Sequence, residues 1–253
     1  GLPATETLRS EGVKVMRESR AAKQDIRPLR IAILNLMPLK IATETQLARL
    51  LGATPLQVDL TLVETSTYRG TNTSNEHMDS FYRPWEAVKD ERFDGFMITG
   101  APVETMDFKT VKYWDELQEI FDWTTTNVFS MFSICWGAQA ALYHFNGVEK
   151  HLITEVAKRF GVFNHRNLAP THPLMQGIAD VFEIPVSRHT ENRRADIEPI
   201  EGLTVLAEND VAGLGLVADD ANRRFYMFNH LEYDSNTLRE EYDRDVKAGQ
   251  TIV

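Results

Sequence analysis

One cysteine, Cys135, is all that this chain of 253 residues contains. A single thiol cannot close an intramolecular disulfide, which fits a reducing compartment. Positive charge is also short: 27 lysines and arginines face 37 aspartates and glutamates, for a net charge of -10. That balance argues against non-specific attraction to nucleic acid or to an anionic membrane surface. No apolar run is long enough to span a bilayer, and the start "GLPATETLRSEGVKVM" lacks the charged-then-apolar order of a secretory signal. A soluble cytoplasmic protein is expected. No P-loop, no dinucleotide-binding glycine fingerprint and no histidine pair at zinc-site spacing is present, so neither a metal nor a bound cofactor is expected. Gly213 and Gly215 in "AGLGLVAD" give only a short G-x-G inside a strand-like run. Internal repeats, low-complexity linkers and a clear domain boundary are missing too. One domain over residues 1–253 is expected. Residues 1–28 read as an N-terminal extension, and the ending "AGQTIV" is expected to be incomplete.

What remains is an ordinary globular composition, 43% hydrophobic and 25% charged, with ample material for a core. Apolar runs rich in β-branched residues predict strands at "RIAILNL" (30–36), "QVDLTLVE" (57–64), "FDGFMITG" (93–100) and "NVFSMFSI" (127–134). The first, third and fourth alternate little, as strands buried on both faces of a parallel sheet do. Helical patterns fall between them at "ATETQLARLL" (42–51) and "VKYWDELQEIFDW" (111–123), and after Cys135 at "GAQAALYHF" (137–145). Asn146-Gly147 is a typical signal for the end of that last helix. Strand alternating with helix implies βαβ units: an α/β fold with a mostly parallel sheet flanked by helices. The second half differs. "DVFEIPVSRHTE" (180–191), "LTVLAEND" (203–210), "GLGLVAD" (213–219) and "RFYMFNHLEY" (224–233) read as additional strands before a final amphipathic helix, "SNTLREEYDRDVKAG" (235–249). The polar stretch "RGTNTSNEHM" (69–78) reads as a long surface loop or lid.

Cys135 falls where an apolar strand gives way to a helix of small residues. A nucleophile on such a turn is lifted clear of the sheet, and the first amides of the helix favour a thiolate. The turn needs small neighbours, and "Ser133-Ile134-Cys135-Trp136-Gly137" meets that need, with serine where glycine is more common. The competing reading is a buried cysteine with no chemistry, the usual fate of a free thiol. A cysteine nucleophile requires a base, and the base an orienting partner. Of seven histidines, His230 stands out. It follows the apolar "FYMFN" and precedes Glu232 by two residues, a spacing that puts both on one side of an extended segment. A strand-end histidine beside a solvated glutamate would look the same.

The strand–Cys–helix elbow with a late H-x-E resembles the class I glutamine amidotransferase fold, which hosts several reactions. The blocks "RPLRIAILNLMPLKIATETQLARLLG", "FDGFMITGAP", "FSICWGAQAAL", "SRHTE" and "HLEYD" more specifically resemble homoserine O-acyltransferases of the homoserine O-succinyltransferase type. That resemblance implies that Cys135 takes an acyl group from acyl-coenzyme A and passes it to homoserine by a ping-pong mechanism. His230 would be the general base and Glu232 its orienting partner. The amide of Trp136 and the side chain of Lys40 would stabilise the oxyanion. Lys158, Ser187 and Arg244 match positions that contact the amino-acid acceptor. Glu104, two residues after the proline of "TGAPVETMDF", matches the position that decides the acyl group. Glutamate there fills the space for succinyl and repels its carboxylate, so acetyl-coenzyme A is the implied co-substrate. A homodimer is implied by analogy.

Two features depart from the family pattern. The segment "YHFNGVEKHLITEVAKRFGVF" is slightly longer and lacks the usual proline before its lysine, and no aromatic-rich tail follows "KAGQTIV". The first keeps L-serine open as an acceptor in cysteine synthesis, and succinyl-coenzyme A remains an alternative donor. A reading of another class is a glutaminase subunit that supplies ammonia to a partner synthetase. A non-catalytic binding module is disfavoured because Cys135, His230 and Glu232 are all present.

Overall fold

A computed structural model of the chain describes residues 2–16, 26–70, 72–250 and 252. Parts of the N-terminal extension, the polar stretch 69–78 and the C-terminal ending therefore lie outside the described residues. The chain divides into two compact units. The first is Gly1–Pro102 with Lys112–Met131, and the second is Val103–Val111 with Phe132–Val253.

In the first unit, helix α1 (Ala4–Ser10) buries Ala4 and Leu8 against Ala48 and Leu60. Strand β1 (Leu29–Leu34) leads into α2 (Lys40–Leu51), followed by β2 (Val58–Glu64), α3 (Asn75–Phe81), β3 (Tyr82–Pro84), β4 (Phe93–Ile98) and α4 (Trp114–Asn127). Strand β5 (Val128–Ile134) begins here and passes into the second unit after Met131. The hydrogen-bonded order is β3-β2-β1-β4-β5. β1 lies parallel to both β2 and β4, with Ile33 opposite Leu62 on one side and Met97 on the other. Ala32, Ile33 and Leu34 are buried accordingly, as a strand covered on both faces requires. Helix α4 buries Trp114, Leu117, Ile120, Phe121 and Thr124, the one-faced stripe its sequence predicts. The polar stretch 69–78 is not all loop. Ser74 caps α3 by accepting a hydrogen bond from the His77 amide, and the helix buries His77 and Met78.

The second unit holds α5 (Trp136–Asn146), β6 (His151–Leu152), β7 (Arg159–Asn167), β8 (Val181–Arg188), β9 (Thr190–Glu191), α6 (Arg194–Ile197), β10 (Leu203–Asn209), β11 (Gly213–Asp219), β12 (Arg224–Met227) and α7 (Thr237–Lys247). Its larger strands run β12-β11-β10-β7-β8, each pair antiparallel. Leu206, Ala207, Leu216, Ala218 and Met227 form its core with Met175. The fold is thus α/β, with a parallel part and the antiparallel extension expected of the second half.

Two local differences matter. β7 is absent from the sequence reading because its residues alternate poorly; its full ladder with β8, from Arg159 opposite Arg188 to Arg166 opposite Val181, is what makes it a strand. And β12 stops at Met227, short of the expected 233, so His230 and Glu232 lie in a turn rather than an extended segment.

Candidate active site

Cys135 occupies a backbone conformation, φ 52 and ψ -120, that L-residues rarely adopt. It sits between β5 and α5, and its amide donates 2.7 Å to the carbonyl of Met227 at the end of β12. Its own carbonyl accepts from the amides of Ala138 (3.0 Å) and Gln139 (3.1 Å), which starts α5. Such strain persists only where surrounding contacts impose it, and it is common at functional sites. Two positions before the cysteine, the buried Ser133 hydroxyl donates 3.0 Å to the Phe225 carbonyl, which explains how serine is accommodated where glycine is more usual. α5 is buried all along Trp136–Leu142 and ends as predicted, at Gly147 with φ 69.

His230 is fully enclosed, 3% exposed, and its Nδ1–H donates 2.6 Å to Oε1 of Glu232, itself 8% exposed. Its backbone amide donates to the Pro185 carbonyl of β8 (3.0 Å), which anchors the turn. Burial alone would push the imidazole down. The carboxylate of Glu232, and then Cys135 by charge and hydrogen bond, outweigh burial and raise it well above its ordinary value. Cys135, His230 and Glu232 therefore form one connected chain: thiol, imidazole, carboxylate. Tyr233 stacks on His230, ring centroids 4.1 Å apart, and donates 2.6 Å from its hydroxyl to Oε1 of Glu241.

Lys158, Ser187 and Arg244 also come together, through acids that the sequence reading did not single out. The Ser187 hydroxyl donates to Oε2 of Glu241. Lys158 Nζ lies 2.8 Å from Asp245 and 3.5 Å from Glu241, and Arg244 Nε donates 2.8 Å to Asp245. Burial works against a charged Asp245, but the bonds from Lys158 and Arg244 hold it below the ordinary carboxylate range. Glu241, Arg244 and Asp245 share one face of α7 by their i, i+3, i+4 spacing. That spacing was the available signal, hidden in a helix whose exposed acids look alike. Tyr233 joins the two groups: it touches His230 on one side and Glu241 on the other.

Glu104 is held in place. Its carboxylate accepts 2.8 Å from the amide of His189, and its carbonyl accepts 2.6 Å from Lys150 Nζ, which also reaches the Met106 carbonyl at 2.7 Å. Trp136 opens α5 at the position expected for an oxyanion amide. Lys40 belongs to the first unit and is buried rather than solvated. Its Nζ donates to the Asn35 carbonyl and lies 5.4 Å from the centroid of the Tyr82 ring. Burial lowers its pKa to about 8 against the opposing pull of Glu64 and Glu44. Among the described residues no group of three or more His, Cys, Asp or Glu could hold a metal ion, and no helix is long and apolar enough to cross a membrane.

A thiol at a strained helix start, an imidazole and a carboxylate can perform covalent acyl transfer. The model of the family "Homoserine O-succinyltransferase" matches residues 1–253. A homoserine O-acetyltransferase of Roseobacter denitrificans is 57% identical over 251 residues, covering 99% of this chain and 82% of that protein. One from Allorhizobium ampelinum is 58% identical, covering 99% and 81%. Among solved structures, a glutamine amidotransferase of Thermotoga maritima is similar at TM-score 0.62 and 9% identity, covering 88% of this chain and 86% of that one. A glutamine amido transferase of Methylobacillus flagellatus is similar at TM-score 0.57 and 14% identity, covering 90% and 80%. At such identities these two speak for the fold alone.

Proposed function

This chain belongs to the homoserine O-succinyltransferase family, and we propose that it is a homoserine O-acetyltransferase that works through an acyl-cysteine in methionine biosynthesis. The observation that carries the reading is the Cys135–His230–Glu232 chain at a strained strand-to-helix turn. One acyltransferase domain over residues 1–253 goes with it.

The thiolate of Cys135 attacks the thioester carbonyl of acetyl-coenzyme A. The carbon–sulfur bond to coenzyme A breaks, and the departing thiolate takes the proton held on His230. Exchange of one thioester for another is nearly balanced in energy, so this half suits a thiolate. Homoserine then gives its hydroxyl proton to His230, its oxygen attacks the acyl carbon, and the Cys135 thiolate leaves. Glu232 keeps the imidazole in one tautomer and favours its charged form. The amide of Trp136 would donate to the oxyanion of each tetrahedral intermediate.

The acceptor's carboxylate suits the guanidinium of Arg244 or the ammonium of Lys158, and its ammonium suits Glu241. Glu104 supports acetyl as the acyl group. Its carboxylate is fixed by the His189 amide, so a second carboxylate arriving with succinyl would meet both bulk and like charge.

The test is intact-protein mass after mixing with acetyl- or succinyl-coenzyme A without acceptor, alongside Cys135→Ala. An acetyl adduct that needs Cys135 and is discharged by homoserine supports the whole reading. Discharge by serine instead moves the acceptor. A succinyl adduct overturns the Glu104 argument, and no adduct with no free coenzyme A overturns the acyltransferase reading itself. Glu104→Gly should raise kcat/KM for succinyl-coenzyme A relative to acetyl-coenzyme A, on the order of tenfold or more.

A further inference from the structure

Residues 103–107, which carry Glu104, are neither helix nor strand. The position of such a backbone depends on the bonds that other parts of the chain offer it. Lys150 offers two. Its Nζ donates 2.6 Å to the Glu104 carbonyl and 2.7 Å to the Met106 carbonyl, and it stands 5.0 Å from the centroid of the Phe108 ring. Both bonds go to backbone oxygens and neither to a carboxylate. Two of the three ammonium donors are therefore engaged by the loop, and the charge lies against an aromatic face. Phe108 is itself buried and stacks on Tyr143 of α5, ring centroids 4.8 Å apart. One half-buried side chain thus fixes the loop at Glu104, Met106 and Phe108.

The two anchors of Glu104 share a base. Lys150 immediately precedes β6, and His189, whose amide donates 2.8 Å to the Glu104 carboxylate, immediately precedes β9. These strands pair antiparallel, His151 opposite Glu191 and Leu152 opposite Thr190, and the Ile153 amide donates 2.9 Å to the His189 carbonyl. Next to Lys150, the side chain of Asn192 donates 2.9 Å to the Glu149 carbonyl. Glu104 is therefore held twice from one small sheet, at its backbone by Lys150 and at its carboxylate by His189. Rejection of a ligand by bulk and like charge requires a carboxylate that cannot swing aside, and a loop free to shift would let it.

We propose that Lys150 is a positioning residue for the choice of acyl donor: by pinning the carbonyls of Glu104 and Met106, it holds the Glu104 side chain in the space that a longer, charged acyl group needs. The proposal rests on the reading that Glu104 favours acetyl over succinyl. It also has a definite sign. An ammonium acting by charge alone would attract the succinyl carboxylate, and its loss would disfavour succinyl. An ammonium acting as a clamp excludes succinyl, and its loss admits it.

The experiment is kcat/KM for acetyl- and succinyl-coenzyme A, with homoserine as acceptor, in the full chain as parent, Lys150→Met, Glu104→Gly and the double variant. Lys150→Gln replaces Lys150→Met if the latter loses its melting transition. With Glu104 present, the neutral variant should raise the succinyl-to-acetyl ratio on the order of fivefold. With Glu104→Gly already in place, it should leave the ratio unchanged, because nothing remains for the clamp to hold. A merely structural lysine would lower both rates alike. An unchanged ratio in a folded Lys150 variant, a fall in the ratio, or an equal rise in the Glu104→Gly background overturns the proposal. If Glu104→Gly itself leaves the parent ratio unaltered, the donor reading of Glu104 fails first and the clamp with it, so the two failures are told apart.

Discussion

The Nδ1 of His230 and the Oε1 of Glu232 stand 2.6 Å apart although the strand that leads to them has already ended at Met227. A turn, fixed by the bond from the His230 amide to the Pro185 carbonyl, brings the two side chains together. Glu232 lies in a nearly dry site, so its charge acts on the imidazole with little screening.

Replacing Glu232 by glutamine should therefore lower kcat on the order of a hundredfold or more. The sign of the pH effect is fixed. Glu232 raises the proton affinity of His230 above its ordinary value of 6.5, so the base form needed for the homoserine half-reaction appears only as pH rises through the raised value. In Glu232→Gln the acid limb of kcat/KM for homoserine should move to lower pH. The ion pair's contribution to stability is likewise full below 6.5 and fades as pH rises through the raised value. A limb that stays put would argue that Glu232 only shapes the turn.

Glu241 binds Ser187 and Tyr233 and lies 3.5 Å from Lys158. Glu241→Gln should raise the KM for the amino-acid acceptor on the order of tenfold, while adduct formation from acetyl-coenzyme A changes little. Equal loss in both half-reactions would place its influence on His230 through Tyr233 instead.

Gly215 has no room for a side chain. A Cβ there would stand 2.7 Å from Cδ2 of His165, whose Nδ1–H donates to the Phe163 carbonyl and whose Nε2 accepts from Asn229, the residue before His230. Gly215→Ala should destabilise the protein by about 1–3 kcal/mol, read as a lower urea midpoint at constant slope. Activity should fall with it, since the displaced ring carries Asn229. An unchanged midpoint would mean that His165 shifts freely.

Burial lowers Lys40 to about 8 from 10.5. Between those values the unfolded chain binds a proton that the folded chain does not, so this residue adds stability as pH rises across the window. The parent should gain stability relative to Lys40→Met on going from below about 8 towards 10.5, measured by urea unfolding at matched ionic strength. A difference independent of pH would mean that Lys40 is charged throughout.

Much of this was legible in the order of residues. The runs at β1, β2, β4, β5 and β11, the stripe of α4, and the end of α5 at Gly147 follow from side-chain periodicity and from glycine's tolerance of positive φ, both local properties. The motif around Cys135 carries its turn in its small neighbours, and the H-x-E spacing marked the histidine and glutamate that meet it, though through a turn and not a strand. What only the tertiary structure decided is non-local. β7 is a strand because β8 pairs with it. Glu241 and Asp245 matter because α7 brings them to Lys158 and Ser187, and Gly215 because His165 crosses it. Lys158 is paired with acids from a helix far along the chain, and whether a buried charge has a partner depends on residues that only the fold brings together; no stretch of sequence contains that fact.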